Sequence, residues 1–436
     1  SQIMLKKLKE IIKKTDHFLY RKFGSNKSTK FLENIKEAQI IFANLNIVGE
    51  EDKARFVGGC VRKAISDEYI DDIDIATLLK PEEVKKALNE KEIKVIDTGI
   101  SHGTVTAILN QKKFEITTLR KDITTDGRHA SVEFTTDWEK DALRRDFTIN
   151  AIYADIEGRI YDPLNGISDL KEGKINFIGS PEDRIQEDYL RILRYFRFFL
   201  QYNKVNHDQN IIRSIKMYIN GINKVSNERI FSELKKILLL DNANSLFFDE
   251  TSKEIILNIF PQFKYHKRLN LISSLDKKLQ SMFDNYLVLA ILIVDETSDY
   301  EYFCHKYRTS NNLKDRFKNI SQNFEKIQNS KFYSKEYLKK LIYLLGKNYV
   351  KDLILFSIVI NHNKIKNIKI IELINYVNIC KMPKFPISGE DLKEYGFEAG
   401  TILGKKLKLL EEKWINDNFV IDKKTIKKLL GVKNKN

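Results

Sequence analysis

Cysteine, proline and tryptophan are scarce in this chain, with 3, 6 and 2 among 436 residues. Cys60, Cys304 and Cys380 are too few and too scattered for a disulfide framework or a cysteine-based zinc site, and they point to a reducing compartment. No apolar run approaches the roughly 20 residues that a membrane-spanning helix needs. Ser1 to Lys14 alternates Leu and Ile with Lys and lacks the unbroken apolar core of a signal peptide. A cytoplasmic protein without a membrane partner is expected. Histidines are also few, and His207-Asp208 lacks the further His and Asp ligands, suitably spaced, that an HD metal site needs.

What is abundant is charge and apolar surface. Hydrophobic residues make up 42% and charged residues 31%, which suits a globular chain, and the length corresponds to roughly three domains at about 150 residues each. Lys and Arg number 75 against 60 Asp and Glu, a formal net charge of +15. Such an excess favours a polyanionic partner, either nucleic acid or an anionic membrane surface. It names no activity, because a composition rich in Lys, Asn and Ile also arises from a biased genome.

The texture changes along the chain. From Arg55 to about Ile160, period-two stretches of β-branched and aromatic residues alternate with short helical patterns. They include Ile73-Asp74-Ile75, Thr104 to Ile108, Phe114 to Thr117 and Ser131 to Phe134. This is a small α+β unit. After Pro181 only Pro261 occurs before Pro383, and Leu, Ile and Phe recur at helical spacing, so a long helical array follows. The fold class expected is α+β, a head with a small mixed sheet followed by all-α neck, body and tail. The divisions fall at 30–160, 161–245, 246–380 and 381–436.

The densest chemistry lies in Phe56-Val57-Gly58-Gly59-Cys60-Val61-Arg62 and Asp71-Asp72-Ile73-Asp74-Ile75. Two glycines between a strand and a helix let the backbone approach a phosphate, although a tight turn is their ordinary meaning. In Asp72-Ile73-Asp74 on a strand, the two carboxylates project to one side while Ile73 and Ile75 point into a core. Like charges held together are destabilising unless a divalent cation neutralises them, and oxygen-only ligands suit Mg²⁺. Asp72 and Asp74 are therefore metal-ligand candidates, and Glu115, between Phe114 and Ile116, is the third carboxylate that would complete a two-metal site.

Together these motifs resemble the nucleotidyltransferase superfamily, specifically its class II branch of CCA-adding enzymes (tRNA nucleotidyltransferases) and bacterial poly(A) polymerases. Gly58-Gly59-x-Val61-Arg62 with Asp72-x-Asp74 resembles the family's first motif, and Glu115 its third catalytic carboxylate. Arg144-Arg145-Asp146-Phe147-Thr148-Ile149-Asn150-Ala151 is similar to the second, which contacts nucleotide sugar and phosphate. Asp162-Pro163-Leu164-Asn165-Gly166 with Asp169-Leu170 matches the hairpin after it. Glu187-Asp188-x-x-Arg191-x-x-Arg194-x-x-Arg197 resembles the nucleotide-selecting helix. The resemblance implies template-independent addition of CCA to tRNA 3′ ends from CTP and ATP, with Mg²⁺ as cofactor and Asp72, Asp74 and Glu115 as catalytic residues. Gly58, Gly59, Arg62, Arg145, Asp146, Asn150, Glu187, Asp188, Arg191, Arg194 and Arg197 are the implied nucleotide-binding residues. Poly(A) polymerase, or a partial CC-adding or A-adding enzyme, is the alternative.

The base chemistry gives Asp188 and Arg191 a specific task. Cytosine and adenine each present an amine donor beside a ring-nitrogen acceptor, complementary to one carboxylate and one guanidinium. Uracil and guanine place a carbonyl where that amine would be, and a carboxylate repels it. A plain helical ion pair between Glu187 or Asp188 and Arg191 is the competing meaning. Arg194 and Arg197 continue the same helical face.

Some features depart from the family or extend its reach. Lys63 stands where the family usually has Asp. Thr98 to Val105 resembles the CCA-adding version of its region, without the arginine-rich stretch of bacterial poly(A) polymerases. Asp126-Gly127-Arg128-His129 resembles the loop tied to the switch from C to A addition. The basic ends, nine Lys and Arg in the first 30 residues and six Lys in the last 14, suit tRNA phosphates or simply solvated helix faces. Phe385 to Leu392 with Gly396, Gly400 and Gly404 resembles the family's tail.

Overall fold

A computed structural model describes residues 28–46, 52–123, 132–361 and 366–432. The basic stretch before residue 28 and the Asp126 to His129 loop lie outside these residues. The chain forms two compact units, dividing between Arg229 and Ile230, within the span expected as a neck.

In the first unit, helix α1 (Ser28–Leu45) precedes β1 (Ala54–Val57), α2 (Gly59–Ile65), β2 (Ile73–Thr77), α3 (Pro81–Asn89), β3 (Lys94–Gly99), β4 (Thr104–Leu109) and β5 (Lys112–Thr118). A hairpin of β6 (Arg120–Asp122) and β7 (Val132–Phe134) follows, then α4 (Trp138–Leu143), β8 (Tyr153–Ala154) and β9 (Ile160–Tyr161). Seven strands make one mixed sheet in the order β3-β4-β5-β2-β1-β8-β9, in which β2 and β5 run parallel. The mixed sheet agrees with the expected class. Val132 to Phe134 is a strand, as its alternation predicts, and pairs with Arg120 to Asp122 in a separate two-stranded sheet.

Alternation divides the main sheet into two faces. Phe56, Ile73, Ile75, Val105, Ala107, Phe114 and Ile116 point to one side and bury against Ile41 and Phe42 of α1, Val61 of α2, and Val84 and Leu88 of α3. The opposite face carries a smaller cluster of Val57, Ala76, Leu119, Ala142, Ala151, Tyr153 and Ile178. That second face holds the polar row described below.

After β9 the unit is helical: α5 (Gly166–Glu172), α6 (Pro181–Glu187), α7 (Arg191–Tyr202), α8 (Gln209–Tyr218) and α9 (Asn227–Leu238), the last crossing the boundary. The segment matched to a hairpin is instead the entry to α5. Asp162 accepts from the Gly166 and Ile167 amides at 2.8 and 2.9 Å, and the hairpin is β8–β9, turned by Asp155. His207 and Asp208 have structural partners, with the His207 ring stacked on Phe199 at 3.7 Å and Asp208 capping α8.

The second unit is all helix among its described residues. The apolar helix Asn285–Ile293 and the helix Lys347–Ile360 supply its core, and Arg316 bridges Asp284 and Asp352. Helices Gly389–Glu394, Thr401–Asn416 and Lys423–Leu430 close on Leu392, Leu410 and Leu430.

Candidate functional site

The sheet register places the carboxylates. Asp74 pairs with Glu115 across the parallel β2–β5 ladder, and Glu115 with Thr106 across β5–β4, so the three form a row on the face opposite the main core. Asp72 lies exposed, one residue before β2 rather than within it as expected. Burial, then the charge of Glu115, push the Asp74 carboxyl up to about 6, with Arg145 opposing and Asp72 adding to the rise. Three acids thus crowd one another with too little positive charge. Among the described residues no three His, Cys, Asp or Glu side chains converge into a ready ion cage. Mg²⁺ does not require one, since it takes much of its shell from water and substrate phosphates. The donor set of oxygens with unrelieved repulsion fits a divalent cation. Beneath the row, burial and then Asp74 push the Cys60 thiol up to about 12, which removes it as a nucleophile.

Gly58 turns β1 into α2 at φ 69° and ψ −123°, a conformation open essentially to glycine. A β-carbon there would stand 3.6 Å from the Asn150 carbonyl oxygen and 3.8 Å from Nη1 of Arg145. Arg145 thus reaches the Gly58-Gly59 turn. Its other nitrogens are anchored: Nη2 lies 3.1 Å from Asp141 and Nε donates to the Tyr153 hydroxyl at 3.3 Å. Asp141 also binds Arg144 and accepts from Tyr153 at 2.7 Å. Burial opposes the charge of Asp141, but Arg145 and Arg144 overcome it and hold the carboxyl down at about 2.

Behind the turn runs a chain of polar contacts. Arg62 is buried, over the Phe198 ring at 4.7 Å, and donates to Asn150 and to the Tyr202 hydroxyl. Asn150 donates to Asp146 at 2.9 Å, as does the Phe147 amide, and Arg194 donates to the other Asp146 oxygen at 2.7 and 2.6 Å. Burial works against the Asp146 charge, and Arg194 more than offsets it, so the carboxyl sits well below the usual range. Lys63, the departure from the family pattern, pairs with Asp71 next to Asp72.

The segment expected to read the base is not one helix. Glu187 ends α6, Asp188 is extended at φ −153° and ψ 101°, and α7 begins at Arg191. This corrects the expectation of helical i, i+1 and i+4 positions for Glu187, Asp188 and Arg191. Glu187 does accept from Arg191 Nη1 at 2.7 Å, and the same nitrogen donates to the Arg184 carbonyl at 2.8 Å. Asp188 is engaged by Arg229 instead, at 2.7 and 3.2 Å. Along α7, Arg191, Arg194 and Arg197 occupy the partly exposed stripe while Ile192, Leu193, Tyr195, Phe196 and Phe198 are buried.

Residues 54–176 match the family described as poly A polymerase head domain, and 277–430 match one described as tRNA nucleotidyltransferase domain 2 putative. The mitochondrial CCA tRNA nucleotidyltransferase 1 of Homo sapiens is 33% identical over 427 residues, covering 90% of this chain and 88% of that protein. The chain belongs to the CCA tRNA nucleotidyltransferase family. The CCA-adding enzyme of Ligilactobacillus salivarius is 32% identical over 92% of this chain and 98% of its own length. In fold, the family member resembles the Bacillus stearothermophilus CCA-adding enzyme in complex with CTP. There the TM-score is 0.71 at 24% identity, over 91% of this chain and 97% of that one. The Thermotoga maritima CCA-adding enzyme complexed with tRNA gives 0.61 at 20% identity, over 91% and 95%. Among the described residues of this nucleotidyltransferase no helix is long and apolar enough to cross a membrane.

Sequence reasoning missed four supporting residues in this nucleotidyltransferase. Asp141 stands three and four residues before Arg144 and Arg145, a spacing that the sequence displays. Tyr153 and Arg229 carry no local signal. Buried Arg184 donates to the carbonyls of Arg144 and Arg145 and binds Glu187, joining the two segments expected to bind nucleotide. Its place in Pro181-x-x-Arg184 gave no hint of this.

Proposed function

We propose that this chain adds C, C and A to the 3′ end of tRNA without a template, taking them from CTP and ATP and releasing pyrophosphate. Likeness along nearly the whole chain to enzymes named for this reaction carries the reading. The Asp74–Glu115 pair supports it chemically.

In the reaction the tRNA 3′-hydroxyl attacks the α-phosphorus in line. A P–O bond forms to the tRNA, the bond to pyrophosphate breaks and the hydroxyl proton is lost. Asp72, Asp74 and Glu115 are the residues that would hold Mg²⁺, which when bound acidifies that hydroxyl and stabilises the leaving oxygens. Arg145, with Nη1 beside the glycine turn, neutralises triphosphate, and Gly58-Gly59 lets the phosphates approach the backbone. Asp146 already accepts from three groups, so it frames Asn150 and Arg194 around the ribose, with Arg62 supporting Asn150 from below. Asp188 accepts from the base amine and Arg191 donates to the ring nitrogen, with Glu187 holding Arg191 and Arg197 completing the basic stripe. Residues 30–160 act as catalytic head, 161–245 as neck, 246–380 as body and 381–436 as the tRNA-binding tail. Three buried, unpaired thiols suit the reducing cytoplasm, and fractionation would reveal a mitochondrial location such as some relatives' names record.

The double substitution Asp72→Ala, Asp74→Ala tests the reading. Incorporation of labelled CTP should vanish while tRNA binding by filter retention stays near that of the unaltered protein. Undiminished incorporation would remove these carboxylates from the chemistry.

A further inference from the structure

The groups proposed to read the base do not bind each other, and this is physically informative. Had Asp188 and Arg191 formed a pair, each would satisfy the other and offer the base little. Instead each is held by a third party. Arg191 uses Nη1 for Glu187 and the Arg184 carbonyl, which leaves Nε and Nη2 without a partner among the described residues. Asp188 Oδ1 accepts from the Leu190 amide at 3.2 Å and from Arg229 Nη1 at 3.2 Å, while among the described residues Oδ2 accepts only from Arg229 Nη2 at 2.7 Å. A carboxylate oxygen has two lone pairs, so one acceptor position remains, on Oδ2.

We infer that Arg229, in the first turn of α9, is a specificity-determining positioning residue: its two-pronged grip on Asp188 presents the one open acceptor to the amine of cytosine or adenine. The inference rests on the base-reading role proposed for Asp188. A guanidinium fork fixes the plane of a carboxylate, which a single ammonium does not. Held in that plane, the open oxygen faces an amine donor and repels the carbonyl that uracil or guanine places there. Asp188 needs this help because it sits in extended backbone at the break between α6 and α7, where the Leu190 amide holds one oxygen and leaves the carboxylate plane to Arg229.

The test pairs enzyme variants with nucleotides that lack the amine, 2-pyrimidinone ribonucleoside triphosphate in place of CTP and purine ribonucleoside triphosphate in place of ATP. Arg229→Gln should lower kcat/KM for CTP and ATP about tenfold, the range expected when one charge-assisted hydrogen bond loses its alignment. It should leave both analogues within about twofold, so the preference for the amine collapses. Arg229→Lys should fall between the two. Equal losses on all four nucleotides would show that Arg229 only supports the fold, and no loss on any would show that the grip is idle; either result overturns the inference. Asp188→Asn separates it from the reading beneath. If that variant still distinguishes CTP from its analogue, the base-reading role fails. If it loses the distinction while Arg229→Gln keeps it, only the inference about Arg229 fails.

Discussion

Half-buried Asp74 and buried Asp141 are two carboxylates whose electrostatics run in opposite directions. For Asp74 the folded pKa, about 6, lies above the ordinary 3.8, because burial and Glu115 oppose the charge. The folded state therefore binds the extra proton between these values, and metal-free stability falls as pH rises through that window. The penalty, on the order of 3 kcal/mol, is complete above pH 6. Asp74→Asn removes it, so urea unfolding in EDTA should show a variant more stable than the unaltered protein at pH 7.5 and no more stable at pH 3.5. The same variant should be inactive. Equal stability at pH 7.5 would contradict the crowding of charge seen here. For Asp141 the folded pKa, about 2, lies below 3.8, so it contributes about 2 kcal/mol that is present above pH 4 and lost as pH falls through 2. Asp141→Asn leaves the Arg145 guanidinium without its buried counter-charge and should cost about 3 to 5 kcal/mol at neutral pH. The cost should shrink on acidification, the reverse of the trend for Asp74→Asn.

At the scale of elements, the strands bearing the chemistry were legible because their alternation is strong. β1, β2, β4 and β5 all appear in the pattern of apolar residues, and with them the side on which Asp74 and Glu115 project. β8 and β9 are two residues each, too short for any period to register. The break between α6 and α7 was hidden for another reason. Asp188-Tyr189-Leu190 contains neither Pro nor Gly, and the interruption follows from tertiary contacts, with Arg229 holding Asp188 and the Tyr189 ring packed on Gly221. Candidate residues announced themselves by type and order, whereas Arg184 and Arg229 reach their partners across long sequence separations, and Tyr153 reaches Arg145 and Asp141 through the turn into β8. The junction of α5 with the Thr148 turn is tight: a β-carbon on Gly166 would lie 2.2 Å from the Thr148 carbonyl oxygen. Gly166→Ala should therefore cost about 1 to 3 kcal/mol in urea unfolding and lower activity by shifting Asn150. A neutral effect would mean that the Thr148 turn yields freely.

For the whole molecule, the excess of 75 basic over 60 acidic residues suits the polyanionic partner proposed above. The helix Lys423–Leu430 illustrates it, with Asp422 engaged in capping and Lys423, Lys424, Lys427 and Lys428 along its length. Replacing these four lysines with Gln should weaken tRNA binding and reduce the slope of log K against log salt by about 0.7 to 0.9 for each phosphate that is no longer neutralised. An unchanged slope would assign the tail a purely structural task. The most direct measurement is stepwise extension of a tRNA ending before its CCA, resolved at single-nucleotide length, with CTP alone, ATP alone and both together. The account predicts addition of two residues with CTP alone, none with ATP alone, and three with both, followed by arrest. A long run of A from ATP alone, or no extension by folded protein, would contradict it.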